Sequence, residues 1–311
     1  MNQDYSLDVS IVIVNFNTKN ITLNCLSSVI ESTQGVQYEL IVVDNASTDG
    51  SIEAITKFDT KGIRLKFIKN LANVGFAAGN NQGTKEAGGK YILFLNSDTL
   101  VKNNVVKNVF DHLEANSKLG AAGVKIVGVD GNIQEAGGYF PTLTRVFSWM
   151  TIQDLPFVDG IIKPFHPLKK KSFTKNVGFF EKQQKLDWLI GAFMFVRKSV
   201  LDQVKGWDED YFMYTEDVDL CYKIKNAGYE IVYLPDLQIT HLGGASSASS
   251  EFPLVNEYKG IKTFYKKHYP VWQFPILRLM LKIGALGRMI LFAILEGRQT
   301  AHIYAKAFKT A

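Results

Sequence analysis

Hydrophobic residues in the first hundred positions switch repeatedly between two periods, and that switching constrains the fold more than any other feature of the chain. Residues 9–14 (VSIVIV) are an almost unbroken run of β-branched side chains, the pattern of a strand buried on both faces. Leu23, Leu26, Val29 and Ile30 then recur at helical spacing over residues 18–32, with Thr18 placed as an N-cap. The alternation continues with a strand at 39–43 ending on Asp44, a helix at 50–58, a strand at 65–68, a helix at 80–87 and a strand at 91–95. Strands separated by helices return in the same direction, so right-handed crossovers and an α/β fold with a mostly parallel sheet are expected. At 46% hydrophobic residues and only 8 prolines in 311, the chain can bury a full core.

Sheets of this kind bind ligands beyond the carboxyl ends of their strands. Three such ends carry polar clusters: Asn15-Phe-Asn17, Asp44-Asn-Ala-Ser-Thr-Asp49 and Asn96-Ser-Asp98. The first turn lacks G-x-G-x-x-G, which disfavours a dinucleotide dehydrogenase, and no G-x-x-x-x-G-K-[ST] occurs, which removes the P-loop NTPases. Further along, a helix is expected at 103–115 and strands at 121–139 around an Asp130-Gly-Asn132 turn. Residues 140–185 read as irregular, with four of the eight prolines and a Lys169-Lys-Lys171 run, in the manner of a lid or substrate-binding segment. An apolar strand at 188–196, a helix at 198–204, a helix at 215–227 closed by Gly228, and a strand at 230–233 leading to His241 complete the body.

Each polar cluster has a structural and a chemical reading. Asp44 with its Ser/Thr/Asp neighbours is either a helix cap or a carboxylate accepting from a nucleobase N–H. Asn96-Ser-Asp98 is either a turn or a carboxylate at the mouth of the sheet, where a hard divalent cation could bridge it to phosphate oxygens. Glu216-Asp217-Val-Asp219 puts three acids at a helix start, where they offset the helix dipole. The preceding Tyr211-Phe-Met-Tyr214 could instead wall a sugar-sized pocket and prepare one acid as a base. His241 gains a functional reading only if Asp98 lies beside it.

Taken in order, these stretches resemble family 2 glycosyltransferases, and among them the bacterial rhamnosyltransferase-like branch. The matching residues are 9–17, 41–51, Asn70-Leu-Ala-Asn-Val-Gly-Phe-Ala77 with Gly79-Asn80 and Gly83, 95–98, 188–196, 206–221, Ala227-Gly-Tyr229 and Thr240-His241, covering roughly residues 8–245. The resemblance implies a GT-A fold, a Rossmann-like mostly parallel sheet flanked by helices, over residues 1–254. The nucleotide-binding half would be about 1–100 and the acceptor and catalytic half about 101–254. Asn15, Asn17 and Asp44 would line the nucleotide pocket, with Asn73, Gly75, Asn80 and Asn96 along the nucleotide and sugar. Asp98 would be the second aspartate of the D-x-D motif and, with His241, would hold Mg²⁺ or Mn²⁺. Asn96 stands where the motif's first aspartate would be, removing one anionic ligand. Asp217 would be the catalytic base with Glu216 beside it, and Trp188 and Tyr214 would meet the acceptor.

The implied reaction is inverting transfer of a sugar from a nucleoside-diphosphate donor, dTDP-rhamnose among the candidates, to a glycan or polyprenyl-diphosphate-linked hydroxyl in polysaccharide synthesis. Two alternatives are a nucleotidyltransferase, for which the carboxylates are too few, and a non-catalytic nucleotide-sugar-binding or scaffold protein, which only Asn96 favours.

Charge marks off the C-terminal part. The chain carries 35 Lys and Arg against 30 acids, and residues 255–311 hold ten of those cations against two acids. The remainder is mildly acidic, which disfavours a nucleic-acid binder. Residues 274–295 are long enough to span a bilayer, but Arg278, Lys282 and Arg288 interrupt them. The segment reads as a basic amphipathic helical tail that lies on a membrane surface through residues 259–298, with a packed or dimerising helix as the alternative. The apolar run at 9–14 is too short for a signal peptide, and Cys25 and Cys221 read as reduced thiols, so the expected location is the cytoplasmic face of the cell membrane.

Overall fold

The computed structural model describes residues 5–153, 155, 158–168, 178–243 and 251–311; the Lys169-Lys-Lys171 run lies outside them. The chain divides into two compact units, one of Met1–Gly137, Val177–Phe212 and Asp217–Ser246, the other of Gly138–Asn176, Met213–Glu216 and Ser247–Ala311.

The first unit holds the sheet. Its elements, numbered in chain order, begin with β1 (Leu7–Asn15), α1 (Lys19–Ser32), β2 (Tyr38–Asp44), α2 (Ser51–Thr56), β3 (Leu65–Lys69), α3 (Phe76–Glu86) and β4 (Gly89–Leu95). They continue with β5 (Thr99–Val101), α4 (Val105–Glu114), β6 (Leu119–Val127) and β7 (Ile133–Gln134). After the two-residue pieces β8 (Gly137–Gly138) and β9 (Trp188–Leu189) come β10 (Phe193–Arg197), α7 (Lys198–Val204), α8 (Glu216–Asn226) and β11 (Glu230–His241). The main sheet has the order β3-β2-β1-β4-β10-β6-β11-β5, with β7 paired to β6. Strands β1 to β4 are mutually parallel, β6 and β11 are parallel, and β10 runs antiparallel between β4 and β6. The mostly parallel α/β sheet expected from the alternating periods is therefore present.

Burial explains the sequence pattern. Val9, Ile11, Val12 and Ile13 of β1, Leu40 to Val43 of β2 and Ile92 to Phe94 of β4 are all fully buried. Each such side chain contributes about 1.5–3 kcal/mol on leaving water. Several polar residues of these strands are also completely enclosed, Glu39 among them. Glu39 accepts from Ser10 Oγ at 2.7 Å and from the Gly88 N–H at 2.7 Å, with Lys66 Nζ at 3.1 Å. Burial pushes its carboxyl up, but those donors outweigh burial and hold it below the usual glutamate range.

Four departures from the sequence reading have local causes. Helix α3 begins at Phe76 rather than at residue 80, because Gly79 and Gly83 occupy the face turned to the sheet, where a Cβ would come within 3.1 Å and 2.4 Å of Val14 and Val12. Glycines carry no hydrophobic signal, so that first turn was illegible. Thr18 does not cap α1 with its side chain; its hydroxyl donates instead to Asn15 Oδ1 at 2.7 Å. The apolar run 188–196 breaks at Ile190-Gly191-Ala192 into β9 and β10. Strand β11 continues past Tyr233 to His241 through an irregularity between Leu234 and Gln238.

The second unit is helical: α5 (Leu143–Met150), which falls in the stretch read as irregular, α6 (Val158–Ile161), α9 (Glu251–His268), α10 (Gln273–Leu295) and α11 (Arg298–Thr310). Leu277, Leu281, Gly284 and Ala285 form the buried face of α10, and Gly284 lies against Met150. Leu279, Ile283, Leu286, Ile290 and Ile294 form an exposed stripe on the same helix. The three cations of α10 are engaged inside the unit. Arg278 Nε donates to the Ala311 carbonyl at 2.9 Å, Lys282 lies 5.7 Å from the Phe308 ring centre, and Arg288 lies 5.3 Å from that of Trp149.

Candidate active site

Parallel pairing brings the ends of β1 and β2 level, with Asn15 opposite Asp44. Asn15 Nδ2 donates to Asp44 Oδ2 at 2.5 Å and to Ser47 Oγ at 3.0 Å, while Asn15 Oδ1 accepts from Thr18 and Thr22 hydroxyls at 2.7 Å and 2.6 Å. Asp44 Oδ1 accepts the Ser47 N–H at 2.8 Å. Asn15 and Asp44 are completely buried, so the clamp presents a rigid carboxylate edge rather than a mobile surface acid. Asn17, at φ 52°, closes the same corner by accepting from the Thr48 N–H at 2.8 Å. The cap reading of this cluster is thus partly met, since Asp49 accepts the Lys19 N–H at 2.9 Å at the start of α1.

A second group of amides follows from β3 into α3. Asn73 Oδ1 accepts from the Gly75 N–H at 3.0 Å and from Asn45 Nδ2 at 3.2 Å, and Asn45 Nδ2 also reaches the Gly75 carbonyl at 3.1 Å. Gly75 has φ 88°, and a Cβ there would sit 2.6 Å from the Phe212 carbonyl oxygen, so only glycine fits. Asn80 is buried and donates to the Phe76 carbonyl at 3.0 Å. Asn45, Ser47 and Thr22 are working parts of these networks that the sequence reading did not single out. Their signal was proximity to motif residues, which only the register of β1 on β2 resolves.

The third strand end meets the last one. Asp98 Oδ1 lies 3.1 Å from His241 Nε2, and the Leu242 N–H donates to the Asp98 carbonyl at 2.9 Å. Antiparallel pairing of β11 with β5 sets this meeting, placing His241 opposite Thr99. The condition under which His241 gains a functional reading is therefore satisfied. Gln134 holds the other face of the ring, its Oε1 at 2.7 Å from Nδ1 and its Nε2 at 3.0 Å from the His241 carbonyl. Cis positions around an octahedral cation with bonds of about 2.1 Å lie about 3.0 Å apart, so this oxygen–nitrogen pair fits adjacent ligand places. Among the described residues no group of three or more His, Cys, Asp or Glu could hold an ion. Asn96 accepts at its carbonyl from the Thr99 hydroxyl at 2.8 Å and donates its N–H to the Ala192 carbonyl at 3.0 Å.

The 188–196 strand breaks where the Gly191 N–H turns to a side chain. The turn at Ile190-Gly191-Ala192 offers one carbonyl to Asn96 and turns the Gly191 N–H to Asp217 Oδ2 at 3.3 Å. One turn thus ties the Asn96-Ser-Asp98 end of β4 to the carboxylate that opens α8. The three acids of that helix differ in setting. Asp219 is wholly buried against Lys223 Nζ at 3.2 Å and the Tyr211 hydroxyl at 3.3 Å, and Glu216 is buried, whereas Asp217 is half-buried. Trp188 is 3% exposed within the packing of its unit. In the second unit Tyr214 and Thr215 both have φ 73°, and the Tyr214 ring centre lies 6.2 Å from that of Phe252. Cys25 and Cys221 are free and buried; burial pushes the Cys25 thiol up to about 12.

Comparison with known proteins agrees with this arrangement. The chain is 25% identical over 214 residues to an N-acetylglucosaminyl-diphospho-decaprenol L-rhamnosyltransferase of Mycobacterium tuberculosis, covering 65% of this chain and 66% of the relative. It is 31% identical over 174 residues to rhamnosyltransferase WbbL of Escherichia coli, covering 54% of this chain and 60% of that one. The chain thus spans somewhat less than two thirds of the length of these relatives. Among solved structures it resembles the mannosyltransferase PcManGT from Pyrobaculum calidifontis, in complex with GDP-Man and Mn²⁺, with a TM-score of 0.58 at 15% identity over 98% of this chain and 82% of the other. Residues 1–349 of S. aureus TarS superpose with a TM-score of 0.54 at 13% identity, over 98% of this chain and 91% of that one. These structures establish the GT-A fold. Residues 10–204 match the profile of Glycosyl transferase family 2, more than half of the chain, and the protein belongs to that family.

Proposed function

We propose that the protein is an inverting glycosyltransferase that moves a sugar from a nucleoside-diphosphate donor to a hydroxyl of a glycan or polyprenyl-diphosphate-linked acceptor. The observation that carries this reading is the convergence of Asp44, Asp98 and Asp217 at strand and helix ends of one unit, each held by backbone or amide donors or facing a histidine. The rhamnosyltransferase names of two relatives make dTDP-rhamnose the first donor to test.

In the proposed mechanism Asp44, held by Asn15 and Ser47, accepts from the base, and the Asn73–Gly75 turn and Asn80 border the nucleotide and sugar. Asp217 takes the proton of the acceptor hydroxyl as that oxygen attacks the anomeric carbon and the diphosphate leaves. The Gly191 N–H holds Asp217 in place, and Glu216 shapes the adjoining turn. Trp188 supports the acceptor side from within the packing of its unit. Mg²⁺ or Mn²⁺ held by Asp98 and His241 would supply counter-charge to the leaving diphosphate. Asn96 makes the place less negative than two aspartates would.

The second unit is proposed to rest on an anionic membrane surface at the cytoplasmic face. No described helix is long and apolar enough to cross a membrane. What supports surface binding is the bare stripe from Leu279 to Ile294 on a segment whose cations outnumber acids ten to two.

The test is consumption of a panel of donors (dTDP-rhamnose, UDP-glucose, UDP-galactose, UDP-GlcNAc) by the full chain with Mn²⁺, together with thermal shift on each donor. Turnover of one donor supports the reading. A donor that stabilises the fold and is never consumed, even with lipid-linked acceptor, would favour a non-catalytic binding protein.

A further inference from the structure

Gln134 makes two hydrogen bonds to one residue, and together they fix which nitrogen of that residue carries a proton. The His241 carbonyl can only accept, so the Gln134 group 3.0 Å from it is the amide nitrogen. The other end of the same amide, Oε1, therefore faces His241 Nδ1 at 2.7 Å. An amide oxygen carries no hydrogen, so Nδ1 must be the donor. In a neutral imidazole this leaves the lone pair on Nε2, the atom 3.1 Å from Asp98 Oδ1. Two acceptors then lie side by side 3.1 Å apart, the spacing of adjacent ligands on one cation.

This arrangement runs against the intrinsic preference of the ring. A neutral histidine side chain favours the Nε2–H form, and here that form would also donate directly to Asp98. Something must oppose it, and Gln134 is placed to do so. It lies on β7, whose register sets Gln134 opposite Ile126, and the hairpin leading to it is closed by the Gly128 N–H on the Asn132 carbonyl at 2.8 Å. A Cβ added at Gly243, at φ 75°, would lie 3.7–3.9 Å from the amide. The main chain that carries the amide is thus fixed by the hairpin.

We propose that Gln134 is a positioning residue that locks His241 as the Nδ1–H tautomer and thereby presents Nε2, beside Asp98, as a ready cation ligand. The inference rests on the cation reading of Asp98 and His241 for its purpose, but its own content is a proton position that can be observed without any cation. Outer hydrogen bonds of this kind set ring orientation and ligand basicity, and removing one typically costs 10–100-fold in metal affinity.

The test uses the full chain, ¹⁵N-labelled at histidine, at alkaline pH. Long-range ¹H–¹⁵N spectra report the tautomer of each of the 5 histidines, and His241→Asn assigns the signal. Wild type should show His241 protonated at Nδ1, and Gln134→Ala should move the proton to Nε2. Gln134→Glu, whose carboxylate still accepts from Nδ1, should restore the wild-type pattern. Mn²⁺ alone, followed by electron paramagnetic resonance of the free ion, should bind 10–100-fold more weakly to Gln134→Ala than to wild type. A wild-type signal protonated at Nε2, or an Nδ1–H signal unchanged in Gln134→Ala, overturns the proposal. If the tautomer switches as expected but wild type takes up no Mn²⁺ that Asp98→Ala loses, the positioning role stands and the cation reading is what fails.

Discussion

Gly260 sits inside α9, where glycine is normally a weakness, and replacing it should do harm rather than good. Alanine in a helix interior is about 0.8–1 kcal/mol better than glycine. Here a Cβ would lie 2.3 Å from Thr215 Oγ1, 2.6 Å from Thr215 Cβ and 2.8 Å from the Tyr214 carbonyl oxygen. A rotamer change could move the hydroxyl but not the other two atoms, so backbone must shift. Overpacking of that kind costs roughly 1–3 kcal/mol, and two immovable contacts argue for the upper end. The net expectation for Gly260→Ala is a loss of about 2 kcal/mol. Gly287, in α10 of the same unit, has nothing within 4 Å of the equivalent position, so Gly287→Ala should gain about 1 kcal/mol. Thermal melts of the full chain should separate the pair, with a fall of about 4–8 °C against a rise of about 2–4 °C. Tyr214 and Thr215 already occupy left-handed backbone directly before Glu216 and Asp217, so the displaced segment is the one leading into the proposed base. Thr215→Gly in the Gly260→Ala background removes one immovable contact and the φ strain together, and should recover part of the loss. A Gly260→Ala protein that melts at or above wild type would refute the packing argument.

Three further outcomes follow from other parts of the molecule. Asp217→Asn should keep donor affinity and lose about 10²–10⁴-fold in transfer rate, read by steady-state kinetics with saturating donor; near wild-type turnover would shift the base role to Glu216. Leu279→Glu with Ile283→Glu should leave the melt unchanged, because both side chains are exposed, and abolish co-sedimentation with anionic liposomes at low salt; loss of a dimer instead would identify a second copy as the occupant. Glu39 is held below the ordinary carboxylate value of about 4.3, so its contribution is full above that pH and fades as pH falls through the folded value. The stability difference between wild type and Glu39→Gln, followed by urea melts from pH 7 downward, should therefore shrink below about pH 4; a constant difference would contradict it.

How much of this was legible in sequence depended on what each residue does locally. Strands β1, β2 and β4 announce themselves because they are buried on both faces and carry little but β-branched and aromatic side chains. The three polar strand ends stood out because polar residues abruptly replace apolar ones. The meeting of Asp98 with His241 could be framed only as a condition, since 143 positions separate them and the short strand β5 that aligns them has no pattern of its own. Gln134 was silent for the same reason: its role lies in two bonds to a residue 107 positions away. The break at Gly191 was hidden inside an apolar run, because periodicity records burial and not whether a backbone N–H is spent on a neighbouring strand or on Asp217.

The position of β10 has a bearing on how the chain is made. It occupies the middle of the sheet, pairing Phe193 with Leu95 on one side and Phe195 with Ala122 on the other, yet it is synthesised after both neighbours. About 100 residues separate the end of β4 from the start of β10, which corresponds to about 5–20 s of translation. Throughout that interval the four-stranded parallel layer ends on the unpaired edge of β4, an apolar strand of the kind that recruits other chains. β6 waits with no bridge to that layer. Closure of the sheet is thus a late event governed by a five-residue strand. A nascent chain stalled before Phe193 should expose a protease-sensitive β6 and be held by chaperones, and one stalled well beyond Arg197 should not.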